Sequence, residues 1–212
     1  MTKLPETAFR RADETPDEHF YREPRFVTHI DAGAIAAVTQ LYREYLPAGG
    51  AVLDLMSSWV SHLPPEVSYR RVVGLGMNEA ELRRNERLTS YAVQNLNVNP
   101  TLPFADGEFD GAGITVSVDY LTQPAAVLRD LGRVLAPGAP VVISFSNRCF
   151  PTKAVAIWHH LGDRGHLELV ARYLEEAGNW ADVTQLDRSP KAARLGRGDP
   201  LYAVVARARP AV

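Results

Sequence analysis

The sequence predicts a doubly wound α/β domain: a mainly parallel seven-stranded sheet with helices on both faces and an antiparallel edge hairpin at its C-terminal end. Three observations predict it. Short apolar runs of strand length alternate with amphipathic helical segments from Ala51 onward. The runs "AVLDL", "RVVGLG" and "PVVISFSN" are apolar along most of their length, as strands buried on both faces are. Breakers punctuate the elements, with Pro47 and Gly49–Gly50 after one helix and Pro137–Gly138 after another.

At 212 residues the chain holds one sizeable core. Its formal charge of −2 and its scattered Lys and Arg give no footprint for a nucleic-acid partner. The single cysteine, Cys149, allows no internal disulfide, which suits a reducing compartment. The charged N-terminus lacks a signal core and no apolar run reaches bilayer length. The expectation is a cytoplasmic protein with no membrane partner and a small-molecule substrate, its oligomeric state open.

Residues 1–30 read as an N-terminal arm covering the site, and 31–212 as the α/β domain. The rings of Phe20, Tyr21 and Phe26 are candidate anchors for the arm. A helix then follows Asp31, a capping residue, with Ile35, Val38, Leu41, Tyr42 and Tyr45 at helical spacing. "AVLDL" is the first strand, leading through a turn toward a helix that Pro64–Pro65 cuts short. "RVVGLG" is the second strand, and "NEAELRRNERL" a helix capped by Asn78. "SYAVQNL" and "FDGAGITVSV" are the third and fourth strands, followed by the amphipathic "QPAAVLRDLGRVLAPGA" and the fifth strand. A helical stretch from about Lys153 to Ala177, interrupted near Gly162–Gly165, precedes two strands near 181–186 and 201–206.

In open α/β sheets ligands bind beyond the carboxyl ends of the strands. The rim is therefore Asp54–Trp59, Gly76–Asn78, Asn95–Asn97, Thr115–Tyr120 and Asn147–Phe150. On "VLDL", "VVGLGMNEAEL", "LPFADGEFDGAGITVSVDYLTQP", "LRDLGRVLAPGAPVVISFSNR" and "GDPLYAVVARA", roughly residues 45–210, the chain resembles the type-11 group of class I S-adenosylmethionine (SAM)-dependent methyltransferases. The resemblance implies a Rossmann-like sheet, SAM as cofactor and methyl transfer to a small molecule. It places Asp54, Met56, Ser57, Ser58, Trp59, Gly76, Met77, Asn78, Asn95 and Thr115 along the cofactor site. Asp119 and Tyr120 then fall where such enzymes face their substrate.

Several positions depart from that family's pattern. Its three loop glycines are replaced by Met56, Ser58 and Val60. The acid that bridges the ribose hydroxyls is replaced by Gly76, and the aspartate near adenine by Asn95. Asp54 is expected at the base of the pocket, or else capping the next helix.

His29 and His62 are candidate acid and base, and in an alternative reading they ligate a metal or haem that has replaced SAM, with Trp59 filling the vacated space. Arg148 is a candidate substrate ligand for a carboxylate or phosphate. Cys149 reads as a buried small hydrophobe, and His19 and His166 as surface or hydrogen-bonded residues. A third reading is a non-catalytic binding subunit.

Overall fold

Among residues 4–210, which the computed structural model describes, an arm with single helical turns at Glu6–Phe9 and Asp17–Phe20 precedes helix α1 (Ala32–Tyr45), which begins at Asp31. The Asp31 carboxylate accepts the Ala34 N–H, so the cap forms at the residue whose chemistry suits it. Then come β1 (Ala51–Leu55), β2 (Arg71–Gly76), α2 (Glu79–Arg84), β3 (Ser90–Val93), β4 (Gly111–Thr115), α3 (Pro124–Val134) and β5 (Pro140–Phe145). Helix α4 (Asp163–Ala177) and strands β6 (Trp180–Asp187) and β7 (Tyr202–Ala208) complete the domain.

Seven strands among the described residues form one sheet in the order β3-β2-β1-β4-β5-β7-β6. Strands β1 to β5 pair in parallel, and β7 runs antiparallel to both β5 and β6. Alternation along each strand sorts the side chains onto two faces. Leu53, Leu55, Val73, Leu75, Ile114, Val141 and Ile143 join one core with residues of α3 and α4. Val52, Val72, Val142, Ala203 and Val205 join the other with Val38, Leu41 and Tyr42 of α1. Both cores are almost fully closed to solvent, which explains the uninterrupted apolar runs of the central strands.

Three local expectations are corrected. Residues 56–70 between β1 and β2 contain no helix, so Asp54 caps none. Strand β3 ends at Val93, and Gln94–Leu96 lie beyond it in the rim. The stretch after Lys153 is a short turn at Ala156–His159 and then α4, separated by Gly162 in extended backbone. No helix among the described residues is long and apolar enough to cross a membrane.

The strand order reverses between β1 and β4, and the crevice at their carboxyl ends is the position for a ligand. The arm lies across that end. Its Asp13 N–H donates to Thr152 O, and Ala156 N–H donates back to Arg10 O. The side chain of Lys153, fully buried, holds the carbonyls of Asp13 and Thr15 at 3.2 and 2.7 Å and the carboxylates of Asp13 and Asp17 at 3.2 and 3.3 Å.

Candidate functional site

A cavity of about 290 Å³ opens at the carboxyl ends of the parallel strands. The loop after β1 supplies Met56, Ser57 and Ser58, and the end of β2 with α2 supplies Leu75, Gly76, Met77, Asn78 and Glu81. Gln94, Asn95, Leu96 and Asn97 follow β3, while Thr115, Val116, Ser117, Tyr120 and Leu121 follow β4. Arg148, Cys149 and Phe150 come from beyond β5, and the arm contributes Asp17, Tyr21, Arg25 and His29.

The loop after β1 is held by side-chain hydroxyls in place of glycines. Ser57 and Ser61 both donate to Oδ2 of Asp54, at 2.6 and 2.7 Å. The Asn85 amide donates to Ser61 Oγ and to the Ser58 carbonyl, and Ser58 Oγ donates to Glu81 at 2.6 Å. Burial raises the Asp54 carboxyl to about 6, with the two serine hydroxyls pulling it back down. Asp54 is thus the fastening point of the loop and does not itself line the cavity.

Two residues at the rim adopt left-handed backbone that a side chain disfavours. Met56, at the first of the replaced glycine positions, has φ 60°, and the β-branched Val116 has φ 44°. Such conformations each cost of order ~1–3 kcal/mol and collect at ligand sites. Met56 therefore keeps a backbone shape that glycine adopts without strain.

Gly76 has a matching reason. A Cβ there would overlap the carbonyl oxygen of Ser57, because the loop lies directly on the end of β2. Any acid at this position would displace the loop. A carboxylate reaches the cavity from α2 instead, through Glu81, whose Oε1 accepts the Arg25 N–H at 2.6 Å while Oε2 takes Ser58 Oγ. Each of these oxygens retains a lone pair for a further donor.

Of the residues singled out from the sequence, the structure brings Met56, Ser57, Ser58, Gly76, Met77, Asn78, Asn95, Thr115, Tyr120, His29 and Arg148 to one cavity. Trp59 faces the arm: its Nε1–H donates to Val27 O at 3.0 Å, and its ring meets Phe26 edge-on, so it fills no cofactor space. His62 lies outside the lining, and burial and the nearby His29 both lower its pKa. Among the described residues no three His, Cys, Asp or Glu groups converge as a metal cradle. His166 is buried and stacks on Trp158 with centroids 3.9 Å apart, its ring nitrogen bonded to Trp158 O. Cys149 is half-buried at the cavity wall.

Asp119 is placed differently from the sequence expectation. It is 2% exposed, absent from the cavity lining, and its Oδ2 has no partner among the described residues. Burial raises its carboxyl to about 8. The folded chain then holds a proton that the unfolded chain releases, so stability falls as pH rises from the ordinary carboxylate range to about 8. Asp119→Asn is expected to remove this slope. Between pH 6 and 8 the titration of Asp54 contributes equally to both proteins, and urea unfolding should show wild type losing about 2 kcal/mol more than the variant. Parallel curves would show that Asp119 is ionised throughout.

Asp17, Arg25 and Glu81 were not legible as site residues, whereas Asn97 stands in the rim the strand ends define. Asn97 donates to Asp17 at 3.0 Å and accepts from Thr122 N–H, tying the arm to the rim through β3 and β4. The aromatic cluster around Phe20 was the one sequence signal pointing to this docking. Phe20 meets Phe150 edge-on at 5.2 Å, and Tyr120 and His29 pack on the same ring.

The strand order and the crevice are those of the class I methyltransferase-like α/β fold. Residues 55–143, which run from the last residue of β1 into β5 and carry most of the rim, match the family described as a methyltransferase domain. The chain is 28% identical over 100 residues to the O-methyltransferase resE of Aspergillus sclerotiorum, a match covering 43% of this chain and 38% of that protein. A SAM-dependent methyltransferase from Mesorhizobium loti superposes with a TM-score of 0.57 at 19% identity, covering 81% of this chain and 97% of that one. The [4+2]-cyclase SpnF superposes with a TM-score of 0.58 at 14% identity over 81% and 80% of the two chains. These structural likenesses show the fold.

Proposed function

We propose that the protein is a SAM-dependent methyltransferase acting on a small molecule, with a cofactor site rebuilt around a serine-fastened loop. One observation carries the reading: the segment matching the methyltransferase domain supplies most of the wall of the cavity at the strand-order reversal. The donor set fits SAM in rearranged form. Glu81 offers a carboxylate for the ribose hydroxyls that Gly76 cannot hold, and the Asn95 amide and the Gln94 side-chain oxygen offer polar groups near the position of adenine. The Asn97 amide is taken up by Asp17, Tyr120 O and Thr122. The hydroxyls of Ser57 and Ser58 donate inward, so the methionine end would meet the loop's backbone and Met56.

When bound, SAM supplies an electrophilic methyl group. This chain's residues position the acceptor and manage its proton, and orientation accounts for most of the rate. His29 is the candidate base. Burial lowers its pKa, so its imidazole is neutral near pH 7 and able to take a proton from a substrate hydroxyl. The Tyr120 oxygen accepts the Phe150 N–H at 2.8 Å, and burial keeps its phenol protonated as a donor toward the cavity. The arm closes this space, with Asp17, Tyr21, Arg25 and His29 forming its outer wall.

Calorimetric titration with S-adenosylhomocysteine (SAH) tests the reading. Binding is expected in the micromolar range, weakened about tenfold or more by Glu81→Gln. No heat and no thermal shift at millimolar SAM or SAH would sink it. In that event the Ser57 carbonyl over Gly76 favours a second reading, in which the cavity catalyses a reaction without methyl transfer.

A further inference from the structure

We propose that the substrate is an anion, carrying a carboxylate or phosphate on an apolar body, and that Arg25 of the arm is its anchor with Arg148 as second donor. The inference rests on the reading of the cavity as the enzyme's site. Arg25 spans the mouth. Its backbone N–H is pinned to Glu81 beyond β2, and its guanidinium lies 5.3 Å from the ring centre of Phe150 beyond β5. Phe20 lies under the same group at 4.5 Å, and Nη2 donates to the Phe20 carbonyl. The side chain is thereby held rigid by aromatic faces while no carboxylate among the described residues forms an ion pair with it.

Of the carboxylates in the wall, Asp17 is matched by cations, Arg11 at 2.7 Å as well as Lys153, and Glu81 on the β2 side is held by a backbone N–H and a hydroxyl, away from the Phe150 side. Arg148 is held through Nε by the buried Asp199 at 2.7 Å, which fixes the plane of the fork and leaves its terminal nitrogens without a partner among the described residues. Two oriented arginines that line one cavity with Phe150, Tyr120 and Leu121 suit an anion on an apolar body. A planar fork held on aromatic rings loses little freedom on binding, which favours it over a mobile surface arginine.

The anion's location on the β5 side separates it from the cofactor's own carboxylate, and the experiment distinguishes the two. Benzoate, phenyl phosphate and the neutral benzamide are titrated by NMR into the full chain, into Arg25→Gln and Arg148→Gln, with SAH titrated separately. Melting curves confirm that each variant is folded, and Arg25→Lys supplies a second, charge-retaining variant. At least one anion is expected to bind about tenfold or more tightly than benzamide, with Arg25→Gln abolishing that preference and Arg148→Gln reducing it. Arg25→Lys should keep part of it, and SAH affinity should not change. Which anion binds more tightly decides between carboxylate and phosphate.

Equal binding of benzamide and both anions, no binding of any probe at millimolar concentration, or a preference surviving Arg25→Gln overturns the inference. So does a loss of SAH affinity in Arg25→Gln, which would assign the arginine to the cofactor. Anion binding that depends on Arg25 in a protein that takes no SAH supports the anion site and removes the methyltransferase reading alone.

Discussion

Lys153→Met is expected to destabilise the protein by ~3–5 kcal/mol, the cost of removing one partner from a buried ionic cluster. The ammonium is fully buried and is the point where two carbonyls and two carboxylates of the arm converge. Methionine fills similar volume, so the loss is electrostatic. Asp17, only 3% exposed, would retain Arg11 and Asn97 but lose a charge at 3.3 Å. Asp13 would lose the cation paired with it, and its carboxyl, held at about 2 chiefly by the Thr15 hydroxyl and backbone N–H, would move upward. Thermal unfolding should fall by roughly 10 °C for a chain of this size, and trypsin should cut at Arg10 or Arg11 faster than in wild type. A variant as stable and as resistant as wild type would mean that the arm is fastened elsewhere and Lys153 is incidental to it.

The frame of the fold was legible because its cause is local. Central strands covered on both faces must be apolar throughout, and "AVLDL" and "PVVISF" are. Asp31 and Asn78 were legible as caps because an N-cap needs only the adjacent turn. The site was legible as a set of loops and not as a set of roles. Ser57 and Ser58 have the chemistry to meet a ligand, yet their hydroxyls go to Asp54 and Glu81, a choice made by tertiary packing. Glu81 illustrates the difficulty well. It stands three residues after the cap Asn78, where a capping-box role is expected, but its carboxylate turns to the loop and to an arm residue 56 positions earlier. Arg25 lies in a stretch whose mixed charge reads as a surface tail, and only the neighbouring rings hinted that it docks.

Gly76→Asp puts the relation between loop and cofactor to its sharpest test, because the resemblance and the structure expect opposite results. In the family pattern an acid at this position strengthens the hold on ribose. Here the Cβ alone would overlap the Ser57 carbonyl, which is backbone and cannot swing aside. The loop would have to lift, and lifting it pulls Ser57 from Asp54, Ser61 from both Asp54 and Asn85, and Ser58 from Glu81. Each buried group left without its partner costs ~1–3 kcal/mol, and overpacking adds a similar amount, so a loss of about 3 kcal/mol or more is expected. SAH affinity should fall as well, since Glu81 on α2 loses the Ser58 hydroxyl that orients it. Gly76→Ala should show most of the same destabilisation, which separates the steric cause from the new charge. An aspartate variant that is as stable as wild type and binds SAH more tightly would show that the loop had only lost its old residues. The expected outcome assigns Met56 to His62 and Gly76 to one interdependent unit, in which the missing acid is a consequence of where the loop lies.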